Sequence, residues 1–401
     1  MARDTSEKLG SPDWILLGTT AALIAVGMMM VLSSTFDLSY HLHGKPTQLF
    51  LRHALLVAVG AVAMFLASQM HYKHWMKFSI PLMVLTLGTL VAVAMMGQRR
   101  LFGESVSPVE LAKLTTVVYV GHWLASKRVE QLRRLPFGLL PFTVIVGLIA
   151  GLVIVQPDIS EAVVIVLVAL TMFFVAGADL LQFAIGILGG GAVFVFVVSR
   201  IPYAIERLGP HLAEWRDPLN GGNYQLRQGL IGLGSGGIFG LGPGSGRMKY
   251  QWLPTPHTDA IFAVVGEELG LVGCLFLVGL YALLAYRGFR ISERVADPFG
   301  RFLAIGISSW ISLQALINMA VITGTIPYSG LALPFISVGG SSMVFSMLAV
   351  GILLSVSRAT SIVTVVQKHS RQDRQSKRVA ETGEARTWSS QHRSSNLELE
   401  T

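Results

Sequence analysis

Long apolar runs broken by short polar or glycine-rich connectors fill residues 14–358. Ten runs stand out, near 14–32, 53–70, 78–96, 109–125, 137–155, 161–177, 181–199, 259–285, 302–322 and 340–357. A stretch of about 17–25 apolar residues is enough to cross a bilayer as a helix. The runs are continuous rather than alternating, which excludes a transmembrane barrel. A helix also satisfies its own backbone polar groups where lipid offers none. The pattern therefore predicts an all-α polytopic membrane protein with ten transmembrane helices. One large connection, residues 200–258, separates the seventh from the eighth.

Composition agrees. The chain is 52% hydrophobic and 13% charged, against roughly 25% charged for soluble domains. The first run has no small-residue cleavage site after it and is followed by further spans, so no cleavable signal peptide is expected. Cys274 is the one cysteine, which excludes an intrachain disulfide and a cysteine-based metal cluster.

The net charge of +8 would suit nucleic acid, but its distribution is topological, and no nucleic-acid partner is expected. With the N-terminal arm 1–13 in the cytoplasm, the inside segments hold 20 of the 31 Lys and Arg residues. The positive-inside rule then places both termini in the cytoplasm and loop 200–258 outside. That loop carries six basic residues, which suits an anionic ligand. The tail 359–401 is polar, charged and rich in Ser, Arg and Gln, a composition that reads as disordered. The basic start of the tail, Arg358 to Arg374, favours anionic membrane lipids.

The chemistry concentrates between Asn223 and Gly270. Asp259 sits where a glycine-rich loop turns into the eighth span, beside His257. One reading is a plain N-cap, since an Asp there satisfies free helix N–H groups. The other is a functional carboxylate, with Arg247, Lys249 and loop N–H groups ready for an anionic head group. Gly232–Gly237 matches G-x-G-x-x-G, but no βαβ unit surrounds it, so dinucleotide binding is excluded. The loop is either a tight re-entrant connection or a phosphate-binding nest of bare N–H groups. Glu267 and Glu268 follow two helical turns on, at a depth where carboxylates are paired or functional.

Glu110 and Lys113 share one face of the fourth span and can pair, or Lys113 can meet a phosphate. Gln156, Pro157, Asp158 and Glu161 read as a polar turn. Gln314 and Asn318, four apart in the ninth span, read as interhelical hydrogen-bonding residues. His41, His43, His71 and His74 lie at span ends without ligand spacing.

Taken together, Tyr224-Gln225, LGSGGIFGLG, Leu253-Pro254, HTD at His257–Asp259, GEELG at Gly266–Gly270, Pro327 with Gly330, and LPFISVGGSS at Leu333–Ser342 resemble the SEDS family of cell-wall proteins. The likeness runs from Asp13 to about Arg358, and GEELG resembles the FtsW branch more than the RodA branch. It implies ten transmembrane helices and polymerisation of lipid II into glycan strands by inversion, releasing undecaprenyl pyrophosphate. The implied partners are a class B penicillin-binding protein, the division or elongation complex and lipid II. It implies a catalytic role for Asp259 and substrate-binding roles for Glu110, Lys113, Arg52, His257, Arg247, Lys249, Gln225, Ser341 and Ser342. No cofactor is implied with certainty; a divalent cation, magnesium or manganese, could accompany the pyrophosphate.

Several positions depart from the family pattern. Its Gln-Pro-Ser-Glu reads Ser107-Pro108-Val109-Glu110, and its outer Arg-Trp segment is missing. The glutamine after Arg52 is His53, and Ile159-Ser160-Glu161 replaces Leu-Gly-Thr. Val338 stands where the family has a tyrosine. The rival expectation is a flippase for lipid-linked precursors, with essential charges near the midplane; a scaffold that only recruits the transpeptidase is the third. A polymerase requires its carboxylate at the outer boundary.

Overall fold

The structure is a computed structural model, and it describes residues 10–96, 107–200, 224–250 and 252–359. Residues 1–9 of the expected N-terminal arm 1–13, residues 201–223 of the outer loop and the tail from 360 lie outside the described residues. Among the described residues the chain is helical, without strands.

In chain order the helices are α1 (Trp14–His43), α2 (Gln48–Gln69), α3 (Lys73–Met95), α4 (Pro108–Ala125), a short α5 (Val129–Leu132), α6 (Leu139–Val155), α7 (Ile159–Val175), α8 (Leu180–Val198), α9 (Tyr224–Ser235), α10 (Ile261–Arg294), α11 (Pro298–Ile322) and α12 (Gly340–Ala359). Each of the ten expected spans coincides with one of these. Six helices, α1, α2, α3, α10, α11 and α12, are long and apolar enough to cross a membrane by length and composition. Shorter apolar helices at 139–155, 159–175 and 180–193 accompany them. The protein is an integral membrane protein.

Local signals set the helix ends. Asp13 caps α1, accepting from Leu16 N–H at 3.0 Å. Gly44 ends that helix in the left-handed conformation (φ 67°). The same Asp13 carboxylate pairs with Arg287 of α10 at 2.5 Å, so one side chain both caps α1 and ties it to α10. Asp297 caps α11 through Gly300 N–H, and Pro298 follows at the first helical position. Proline is tolerated there because that N–H has no intrahelical acceptor.

α11 is the axis of the bundle. It packs on α4, α7 and α10, and most of its residues are buried. Lipid is as apolar as leucine, so helix association rests on close packing and polar contacts rather than on hydrophobic transfer. Small residues supply the close approach: Gly288 of α10 lies against Ser308 of α11, and Gly306 of α11 against Val117 and Met172.

The eighth span is not one continuous helix from 259. α10 starts at Ile261 and breaks at Gly270 (φ 67°, ψ −166°). The break frees backbone groups, and the glycine loop takes them. Leu241 and Gly242 N–H donate to the carbonyls of Glu267 and Glu268. Leu271 and Val272 N–H donate to the carbonyls of Gly237 and Ile238. Broken helices survive within a membrane bundle only when another segment satisfies the freed groups in this way. Residues 224–248, read from sequence as outer loop, therefore pack into the bundle as α9 plus a re-entrant turn.

Candidate active site

Asp259 lies two residues ahead of α10 and is half-buried. It is not the N-cap. Ala260 holds that position, and the Asp259 carboxylate turns to hydroxyl donors instead. Thr255 and Thr258 donate to Oδ1 at 2.7 and 2.8 Å, and Tyr328 donates to Oδ2 at 2.5 Å. The Asp259 carbonyl accepts from Asn318 Nδ2 of α11 at 2.8 Å, and the same amide donates to Leu331 O at 2.6 Å. Asn318 thus binds the 259 and 331 segments to one helix, more than the interhelical role expected of it.

Gln225 belongs to the same constellation. Its Nε2 donates to Pro254 O at 3.0 Å and to Thr255 Oγ1 at 2.8 Å, so α9 reaches Asp259 through Thr255. Thr255 has φ 49°, an uncommon backbone for a β-branched residue. His257 is half-buried; its carbonyl accepts from Val338 N–H at 2.8 Å, and its Nδ1 is buried without a partner. Burial pushes the imidazole below its ordinary value, against the pull of Asp259.

One helical turn from Asn318, Gln314 enters a second cluster. Lys113 Nζ donates to Glu110 Oε1 at 3.0 Å and to Gln314 Oε1 at 2.9 Å, and pairs with Glu161 Oε2 at 2.9 Å. Gln314 Nε2 donates to Ala332 O, next to the residue held by Asn318. The expected Glu110–Lys113 pair is present. The expectation that Lys113 meets a phosphate meets a physical obstacle, because two of the ammonium's three donors are spent on Glu110 and Gln314, and Glu161 Oε2 stands 2.9 Å away as a counter-ion. Glu161, read as part of a polar turn, is the third member. Its signal was its place in the motif that departs from the family, not its spacing to Lys113.

Ser341, in the first turn of α12, accepts from Ser107 N–H at 3.0 Å, just ahead of α4 and Glu110. Ser342 beside it is buried, and Arg52 is exposed in the first turn of α2. Among the described residues no hydrogen bond or ion pair joins either side chain to Asp259 or Lys113.

The glycine loop corrects a further expectation. The N–H groups of its 244–248 turn are not bare. Gly244 N–H donates to Glu268 Oε2, and those of Arg247 and Met248 donate to the Glu267 carboxylate. The carboxylates of Glu267 and Glu268 thus occupy these N–H groups of the 244–248 turn, while Gly232–Ser235 lie within α9. Lys249 is likewise not an open cation: it is buried, 2.8 Å from Glu268 Oε1, with Ser33 of α1 and Gly244 O as further acceptors. Arg247 keeps an exposed side chain.

Asp259, Gln225, His257 and the Lys113 cluster thus converge on the segments that α11 holds. Lys249 and the Arg247 amide belong to the loop clamp instead. Tyr328 and Thr255 went unnoticed in the sequence, although Pro327 and Gly330 frame the first and HTD follows the second. Among the described residues no group of three or more His, Cys, Asp or Glu side chains could hold a metal ion.

Known proteins bear on this arrangement. The family described as Cell cycle protein, FtsW/RodA/SpoVE, matches residues 13–362. A protein of Trichlorobacter lovleyi named probable peptidoglycan glycosyltransferase FtsW is 34% identical, over 91% of this chain and 98% of its own. Stage V sporulation protein E of Bacillus subtilis is 37% identical, over 88% of this chain and 98% of its own. A chain from a solved peptidoglycan synthase complex, described as coordinating polymerization and crosslinking, superposes with a TM-score of 0.69 at 26% identity, covering 87% of this chain and 98% of that one. The rod shape determining protein RodA of Thermus thermophilus shares the fold, with a TM-score of 0.63 at 23% identity over 86% of this chain and 97% of its own. On this match across nearly all of its membrane-spanning length, the chain belongs to the FtsW/RodA/SpoVE family of cell cycle proteins.

Proposed function

We propose that the protein is a peptidoglycan glycosyltransferase that polymerises lipid II on the outer face of the bacterial cytoplasmic membrane, with both termini inside. The names of its relatives give the reaction class. The observation that carries the reading for this chain is Asp259, half-exposed ahead of α10, its carboxylate held by three hydroxyl donors and its carbonyl by Asn318, from three segments in all.

The acceptor's 4-hydroxyl attacks C1 of the donor sugar. Its proton passes to Asp259, the new C1–O bond forms, and undecaprenyl pyrophosphate leaves with the electron pair of the broken bond. A single displacement inverts the anomeric centre. Arg247 and Arg52, both exposed, are the cations this reading sets at the pyrophosphate. Lys113 acts by holding Glu110 and Gln314 in place. A magnesium or manganese ion would take most of its ligands from the phosphate oxygens, as hard cations with few protein ligands do. The partner is a class B penicillin-binding protein within a division or elongation complex, since a polymerised strand must then be crosslinked.

The test is purified full-length protein, alone and with its transpeptidase, incubated with lipid II. Glycan strands on a gel are expected. A positioned general base contributes about 10²–10⁴-fold, so Asp259→Asn loses most polymerisation at unchanged expression. Normal polymerisation by that variant removes Asp259 from the mechanism. Transbilayer movement of lipid II without strands would instead support the flippase reading.

A further inference from the structure

The hydrogen bonds of Asp259 are distributed unequally over its two oxygens. A carboxylate has about four lone-pair sites, two on each oxygen. Oδ1 has two donors, Thr255 and Thr258, and is filled. Oδ2 has one, Tyr328, and keeps one site open.

Space beside Oδ2 is set by Gly330. A Cβ built on Gly330 would lie 3.5 Å from Oδ2, with no other atom within 4 Å. Gly330 has no left-handed backbone that would require glycine. What its missing side chain leaves is room against that oxygen. Val338 N–H donates to His257 O, two residues from Asp259, and so fixes the backbone ahead of that carboxylate. Tyr328 brings its phenol to the Asp259 carboxylate from 69 residues further along the chain. Its ring is buried, with 8% of the residue exposed, so the hydroxyl points in one direction.

We infer that Asp259 Oδ2 is the atom that takes the acceptor's proton, that Tyr328 is the positioning residue that aims it, and that the acceptor hydroxyl approaches from the Gly330 side. This rests on the reading of Asp259 as the general base. The acceptor O–H gives its proton to Oδ2 while its oxygen bonds to C1; the C1–O bond to pyrophosphate breaks, and the pyrophosphate keeps that pair. Tyr328 retains its own proton throughout, as donor to the same oxygen.

The experiment measures kcat and KM for lipid II polymerisation by the full-length protein with its transpeptidase. Tyr328→Phe keeps the ring and removes the donor; misaiming a reacting group can cost about 10²-fold, so kcat falls roughly tenfold to hundredfold while KM stays within about twofold. Gly330→Ala places a methyl at ordinary contact distance from Oδ2, so the protein folds with an unchanged melting temperature and kcat/KM falls about tenfold. Wild-type kinetics in either variant overturns the inference. So does a Tyr328→Phe loss that appears only with a lowered melting temperature, since that is structural. Asp259→Asn is measured in parallel: if it stays active, the general-base reading itself fails; if it is inactive while Tyr328→Phe is normal, only the assignment of Oδ2 falls.

Discussion

Asp259 is held through both carboxylate oxygens and its carbonyl, by residues from its own loop, from α11 and from the segment before α12. Multiple fixed donors keep a reacting group in one geometry, which is the main contribution a rigid site makes to rate. His257 beside it makes a pH prediction. Burial holds its imidazole below the ordinary value of 6.5, so the folded protein favours the neutral ring. Above pH 6.5 both folded and unfolded chains carry neutral His257, and its contribution to stability is complete. As pH falls below 6.5 the unfolded chain takes up a proton first, and stability is lost progressively. The melting temperature in detergent should therefore drop more between pH 7 and 5.5 for the wild type than for His257→Gln. Equal slopes would show that His257 does not titrate in this way.

At the scale of elements, the break in α10 and the glycine loop form one unit. Gly270 adopts a conformation (φ 67°, ψ −166°) open essentially to glycine alone. A Cβ there would also run into Gly240 N and Ile238 O. Gly270→Ala should cost at least about 1–3 kcal/mol, read as a lowered melting temperature, and should expose the 236–248 turn to protease. An unchanged digestion pattern would mean that the turn is held without the break. The sequence marked this region through its glycines and GEELG, and it kept a re-entrant connection among its readings. It could not show that the loop N–H groups are spent on Glu267 and Glu268, because whether a donor is free depends on what a distant segment brings to it.

At the scale of the molecule, charge burial joins three helices. Lys113 of α4 meets Glu110 of its own helix, Glu161 of α7 and Gln314 of α11. Two carboxylates face one ammonium, and the lysine is 2% exposed. Removing one partner of such a cluster costs about 3–5 kcal/mol, because the remaining charge is left buried and uncompensated. Lys113→Met should therefore melt well below the wild type, and adding Glu161→Gln should recover part of the loss by deleting the excess negative charge. If the double variant is no better than the single, Glu161 is not part of the cluster's energetics.

Hydropathy and run length are local quantities, so the helices and their order were legible from the chain alone. So were the Glu110–Lys113 pair, three residues apart on one face, and HTD as a candidate carboxylate. The fold decided the rest. Gln314 reaches Lys113 across 201 residues, Ser33 meets Lys249 across 216, and Tyr328 meets Asp259 across 69. Composition and spacing carry no record of such partners, because a side chain's protons and lone pairs are assigned only when packing brings distant segments within hydrogen-bond range. The sequence determined that a carboxylate stands at the head of α10; the tertiary structure decided which of its two oxygens is left open.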